Sequence, residues 1–117
     1  MILEQGLYEL IAQLCPRVYP DFAPAGTAPP YVTWQQFGGP SPVYLDGSLP
    51  DRRGAWIQVS AWAATRSDAN ALMLAIEAAL CASVGLIARP QGALMATVSE
   101  DDGIRGATQD FQIWADR

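Results

Sequence analysis

Twelve acidic residues and seven arginines carry all the side-chain charge of this 117-residue chain at neutral pH, because it has neither histidine nor lysine. The absence of histidine removes the commonest general base and metal ligand. The absence of lysine removes Schiff-base chemistry and the phosphate-binding ammonium. A Ser-His, Cys-His or Ser-Lys nucleophile therefore cannot be assembled within one copy. The densest acidic cluster is Glu100-Asp101-Asp102, followed by Gly103. Three adjacent acids lack the alternating spacing of a calcium loop, so they read as a solvated turn rather than a cation site or an acid/base pair. Cys15 and Cys81 have no activating neighbour in sequence and are expected to pack as small hydrophobes in a reducing compartment. A disulfide between them is the alternative. Gly38-Gly39-Pro40 runs into further prolines instead of a helix, so it is no phosphate cradle. No catalytic residue, cofactor or metal is expected.

Two groups of side chains are better suited to binding. Trp56, Trp62 and Trp114 fall at alternate strand positions together with Gln58, Ser60, Asp110 and Gln112. Aromatics interleaved with polar groups on one sheet face resemble a protein interface, unless the proline-rich loops fold over them. Arg52-Arg53 stands beside Asp51 and near Asp46, which fits either intersubunit ion pairing or ordinary surface charge. The pair is the only basic cluster in a chain of net charge −5, so no nucleic-acid groove is expected.

These residues need elements to hold them. Leu3, Leu7, Leu10, Ile11 and Leu14 form one apolar stripe and predict a helix over 2–14, closed by Pro16. Residues 16–30, with five prolines, read as an irregular connection. The run YVTWQQF predicts a strand over 31–37. A loop of Gly, Pro and Asp follows over 38–54, with Asp46-Gly47 able to turn tightly within it. Loops this long are usually functional or disordered. The clearest strand is 55–63, with Ile57, Val59, Ala61 and Ala63 on the core side. Thr65 and Asp68 approximate a capping box and open a helix over 66–82. Its buried stripe is Ala69, Leu72, Met73, Ile76, Ala79 and Leu80, and Gly85 marks its end. Strands over 94–98 and 107–115 flank the turn SEDDGIRG as a hairpin, and a short strand near 86–88 is possible. The expected fold is a single α+β domain over 1–117: a mostly antiparallel sheet of about four strands with two helices packed on one face. Glu77 interrupts the apolar stretch 71–88, so it reads as a core helix running into a strand and not as a membrane span. The N-terminal segment lacks the basic start of a secretory signal.

The ordered set RVYP (17–20), PPYVTWQQFGG (29–39), YLDG (44–47) and RRGAWIQVSAWAATRSDANALMLAIEAAL (52–80) resembles the family of small phage and prophage tail completion proteins. The matching positions are Tyr31, Trp34, Gly38, Gly39, Asp46, Gly47, Gln58, Trp62 and Ala71, and the likeness loosens after Leu86. The resemblance implies an α+β fold without catalytic residues. It implies a structural protein that caps the tail tube as a ring, six-membered in relatives. Its partners would be other copies of itself, the tail tube protein and head–tail connector proteins. It would reside in the host bacterial cytoplasm during assembly and then in the virion tail. A head–tail connector component, or a small unrelated protein-binding module, is the alternative. The expected assembly interface comprises Tyr44, Leu45, Asp46, Asp51, Arg52, Arg53, Trp56, Trp62 and Trp114. Residues 38–54 are expected to be mobile before assembly.

Overall fold

The computed structural model describes residues 1–98 and 103–117. The predicted acidic turn Glu100-Asp101-Asp102 lies outside the described residues. In chain order the elements are α1 (Leu3–Ala12), β1 (Val18–Pro20), β2 (Tyr31–Gln36), β3 (Arg52–Ala63), α2 (Arg66–Ala82), β4 (Ile87–Pro90), β5 (Met95–Val98) and β6 (Arg105–Asp116).

The two twelve-residue strands β3 and β6 form the spine. They pair antiparallel along their whole length, from Arg52 opposite Asp116 to Ala63 opposite Arg105. On one side β2 joins β3 antiparallel, and β1 joins β2 in parallel. On the other side β4 and β5 share β6 between them, β4 along its C-terminal half and β5 along its N-terminal half. The expectation of about four mostly antiparallel strands needs correction: among the described residues the sheet has six strands and is mixed. The parallel strand β1 hides in the proline-rich segment read as irregular. Three residues ending in Pro20 leave no alternation to detect, and the pairing exists only because α1 delivers the chain to the β2 edge.

Both helices lie on one sheet face, as expected. Alternate residues of each strand point to opposite faces. Ile57, Val59, Ala61, Phe111 and Ile113 all point inward and are buried. Leu3, Leu7 and Ile11 of α1 and Ala69, Met73, Ile76 and Leu80 of α2 meet them in one cluster. The bounds of α2 match the prediction. Thr65 caps it by accepting the Asp68 N–H at 3.1 Å, satisfying one of the free donors of the first turn. Helix α1 stops two residues short of prediction, and Leu14 is therefore exposed rather than part of the stripe. Cys15 packs in the core, but Cys81 is an exposed thiol. Cys81 sits one position beyond the buried stripe of α2, where periodicity turns it outward. Both cysteines are free. Among the described residues no helix is long and apolar enough to cross a membrane.

The molecule is elongated, 53 × 25 × 23 Å. Its radius of gyration of 14.9 Å exceeds the roughly 13 Å of a compact chain of similar length. The long axis comes from the β3–β6 ladder and from the segment that joins β2 to β3.

Candidate assembly surface

The segment between β2 and β3 is an arm with a folded tip. The ladder continues for two residues past β2, as the Phe37 N–H reaches the Trp56 carbonyl at 2.9 Å and the Trp56 N–H reaches Gly38 at 2.8 Å. Gly39 then turns the chain away, at φ +140°, where a side chain is strained. A Cβ there would also lie 2.7 Å from the Ala55 Cα. Pro40 seats on Gly54 across the gap so closely that a Cβ on Gly54 would meet its Cγ at 2.6 Å. These contacts fix where the arm leaves the sheet. Its other root is tied to the C-terminal segment: Arg117 donates from its backbone N–H to the Asp51 carbonyl at 2.9 Å and from Nε to the Pro50 carbonyl at 2.8 Å.

At the tip, the Gly47 N–H bonds the Tyr44 carbonyl and the Tyr44 N–H bonds the Ser48 carbonyl, both at 2.9 Å. Gly47 adopts φ +86°, the left-handed geometry a tight turn requires. Asp46 Oδ1 accepts from the Ser48 hydroxyl at 2.6 Å and from the Ser48 N–H at 2.8 Å. The Ser48 hydroxyl, and then its N–H, hold the Asp46 carboxyl below its ordinary range. The tight turn anticipated at Asp46-Gly47 is thus present. Around it Val43, Tyr44, Leu45 and Leu49 are exposed, and Leu45 is in full contact with solvent. The tip thus presents four large apolar side chains to solvent on a structured turn.

The sheet face away from the helices carries the tryptophans, as alternation predicted. Trp56 is exposed and lies 6.1 Å from the Phe37 ring, between centroids. Trp62 is half-buried, stacked on Tyr31 at 6.2 Å, with its Nε1 donating to Thr33 Oγ1 at 3.1 Å. It lies over Gly106, where a Cβ would approach its ring to 2.7 Å. Trp114 is half-buried, at the register between Gly54 and Ile87. Between them runs a polar ladder. Ser60 and Thr108 hydroxyls meet at 3.0 Å, Thr97 donates to Thr108 at 2.8 Å, and Gln58 donates to Asp110 at 3.2 Å. The segment 21–27 rises beside β2 and walls a groove of about 510 Å³, floored by Thr33, Gln58, Ser60 and Trp62. The proline-rich chain therefore borders the tryptophan face at one end and leaves it open at the other.

The structure sorts the predicted interface residues into places. Tyr44, Leu45 and Asp46 share the arm tip, Asp51 and Arg52 sit at the arm root, and Trp56 stands on the adjoining outer face. Trp62 is at the far end of the same face, in the groove. Neighbouring positions on a strand face opposite ways, and this divides the arginine pair. Arg52 lies 4.0 Å from Asp116. Arg53 turns to the helix side, donating to Glu4 at 2.8 Å and to Gln36 at 3.4 Å. Its partner is α1 of its own chain. Asp116 is held below the ordinary carboxylate range, chiefly by the hydrogen bond from the N-terminal ammonium of Met1 and then by the charges of that ammonium and Arg52. Sequence reasoning missed Phe22, Phe37, Val43 and Leu49 as surface groups. Phe22 carried a signal, a lone large aromatic among prolines with no periodic partner. Among the described residues no three His, Cys, Asp or Glu side chains cluster to hold a metal. The surface has shape, aromatic area and hydrogen-bonding groups, which suit binding.

The chain matches the family model of tail completion protein gp17 over residues 5–116. In fold it is similar to a chain of the virion of a native gene transfer agent particle, at 24% identity and a TM-score of 0.58 over 99% of this chain and 96% of that one. No curated protein sequence matches it. The family match covers nearly the whole sequence, from α1 to the end of β6, and its members are structural proteins of phage tails and not enzymes. The chain belongs to the tail completion protein gp17 family and is a structural component of the virion tail, associated there with other tail proteins.

Proposed function

We propose that this protein ends growth of the tail tube by forming a closed ring on its last layer, six-membered as in the terminators it resembles, and that the free side of this ring meets the head connector. Assembly would take place in the host bacterial cytoplasm. The observation that carries the reading is the arm over residues 40–50, a structured projection rooted on its own sheet whose tip residues Val43, Tyr44, Leu45 and Leu49 are exposed. An elongated subunit with a projecting arm can make heterologous contacts, and such contacts close into a ring when the rotation between copies permits. Termination requires closure, since an open heterologous contact would continue a filament. The contact surface is proposed to include Tyr44, Leu45, Asp46, Asp51, Arg52, Trp56, Trp62 and Trp114. Arg53, bonded to Glu4, would support it from behind by fixing the β3 end against α1.

The test is deletion of the gene followed by electron microscopy of the lysate. Overlong tails, or tails of normal length without heads, are expected. Normal virions from the deletion strain would refute the reading.

A further inference from the structure

The arm and the groove lie at opposite ends of one sheet face. The arm leaves beside Arg52 and Gly54, at the start of β3, and the groove floor is built by Gln58, Ser60 and Trp62 further along the same strand. At roughly 3.3 Å per residue, Trp62 lies about 33 Å from Arg52. An eleven-residue arm doubled back on itself extends at most about 18 Å from its root. Counted from Gly54, where the arm leaves the sheet, Gln58 at the near edge of the groove is about 13 Å away and Trp62 about 26 Å, so the arm of one chain cannot reach the Tyr31–Trp62 end of its own groove. We infer that the arm tip of one copy seats in the outer-face groove of the next copy, and this inference rests on the ring reading above.

Size and chemistry agree with such an occupant. A volume of about 510 Å³ is within the roughly 300–1,000 Å³ of pockets that enclose a ligand. Tyr31 and Trp62 supply stacked aromatic surface for Leu45 and Tyr44, and Thr33 and Ser60 supply hydroxyls beside them. Charge also matches between the two ends. Among the described residues Arg52, at the arm root, is held only by Asp116 at 4.0 Å. Asp21, on the groove wall, has no side-chain hydrogen bond or ion pair among the described residues. Its backbone is held at φ +63° and its N–H is bonded to the Trp34 carbonyl at 2.8 Å, so the carboxylate stands on a fixed turn. A contact between unlike ends is head-to-tail, and every copy in a closed ring then has both its arm and its groove occupied.

The experiment installs a photo-crosslinking benzoylphenylalanine at Leu45 of the full chain and irradiates purified tails assembled from equal amounts of isotopically light and heavy copies. Mass spectrometry of crosslinked peptides is expected to find position 45 joined to residues 21–35 or 56–62, with half of the pairs mixed in isotope. Crosslinks only to the tube protein, or only to other regions of a copy, would overturn the inference while leaving the protein in the tail. Absence of the labelled and unlabelled chains from tails would overturn the ring reading and the inference together. A second measurement avoids the tip. Arg52→Asp and Asp21→Arg are each expected to lower the recovery of closed oligomer about tenfold, and the double variant to restore it. A double variant no better than the single ones overturns the pairing of these two ends.

Discussion

The inner face of the sheet and the arm tip both carry large apolar side chains, and they use them in opposite ways. Inside, Ile57, Phe111 and Ile113 are covered by Leu3, Leu7, Met73 and Ile76, so their burial stabilises the fold. On the arm, Val43, Tyr44, Leu45 and Leu49 stay in water, and only turn hydrogen bonds and the Ser48–Asp46 contact shape them. Apolar area contributes to stability only where the same chain covers it. Apolar area displayed on a shaped tip is available to another molecule instead.

Substitutions on the two regions should separate stability from assembly. Phe111→Ala removes the largest fully buried side chain and is expected to cost about 3–5 kcal/mol, measured by urea denaturation. Such a chain would fail to assemble because it fails to fold. Gly39→Ala tests the junction between the regions. It forces a side chain into φ +140° and against the Ala55 backbone, at an expected cost of about 1–3 kcal/mol. Leu45→Ser is expected to leave stability within about 0.5 kcal/mol, because nothing in its own chain covers the residue, while removing it from tails. A stability loss comparable to that of Phe111→Ala would erase the distinction between the two faces. Hydrogen exchange should likewise show the arm amides outside the tip's turn bonds exchanging freely in the isolated chain and protected in assembled tails.

The smallest effect concerns pH. The Asp46 carboxyl is lowered in the folded chain, so its hold on the tip is complete above the ordinary carboxylate range and is lost as pH falls through the lowered value. Carbon NMR titration should place its midpoint below that of a free aspartate, and Ser48→Ala should move the midpoint back up. A midpoint unchanged by Ser48→Ala would mean that the tip owes its shape to the backbone bonds alone.

Much of this was legible in the residues. Strand β3 and helix α2 were readable because alternation and helical periodicity are local, and Thr65 with Asp68 announced where the helix begins. The outward direction of Trp56, Trp62 and Trp114 followed from the same alternation. The extension of β3 back to Arg52 was not readable. Arg52, Arg53 and Gly54 have weak strand preference, and they are extended because β6 runs opposite them to Asp116. The groove was likewise invisible, since its wall at 21–27 and its floor on β2 and β3 meet only after folding.

Composition and short-range periodicity are properties of the chain, and they were enough for the lack of histidine and lysine, the two helices, the centres of the two spine strands and the outward face of Trp56, Trp62 and Trp114. Folding in three dimensions settled that β1 pairs in parallel, that Arg53 bonds α1 while Arg52 faces outward, and that arm and groove stand at opposite ends of one face. Those outcomes depend on contacts between residues far apart in the chain, whose geometry no local pattern encodes.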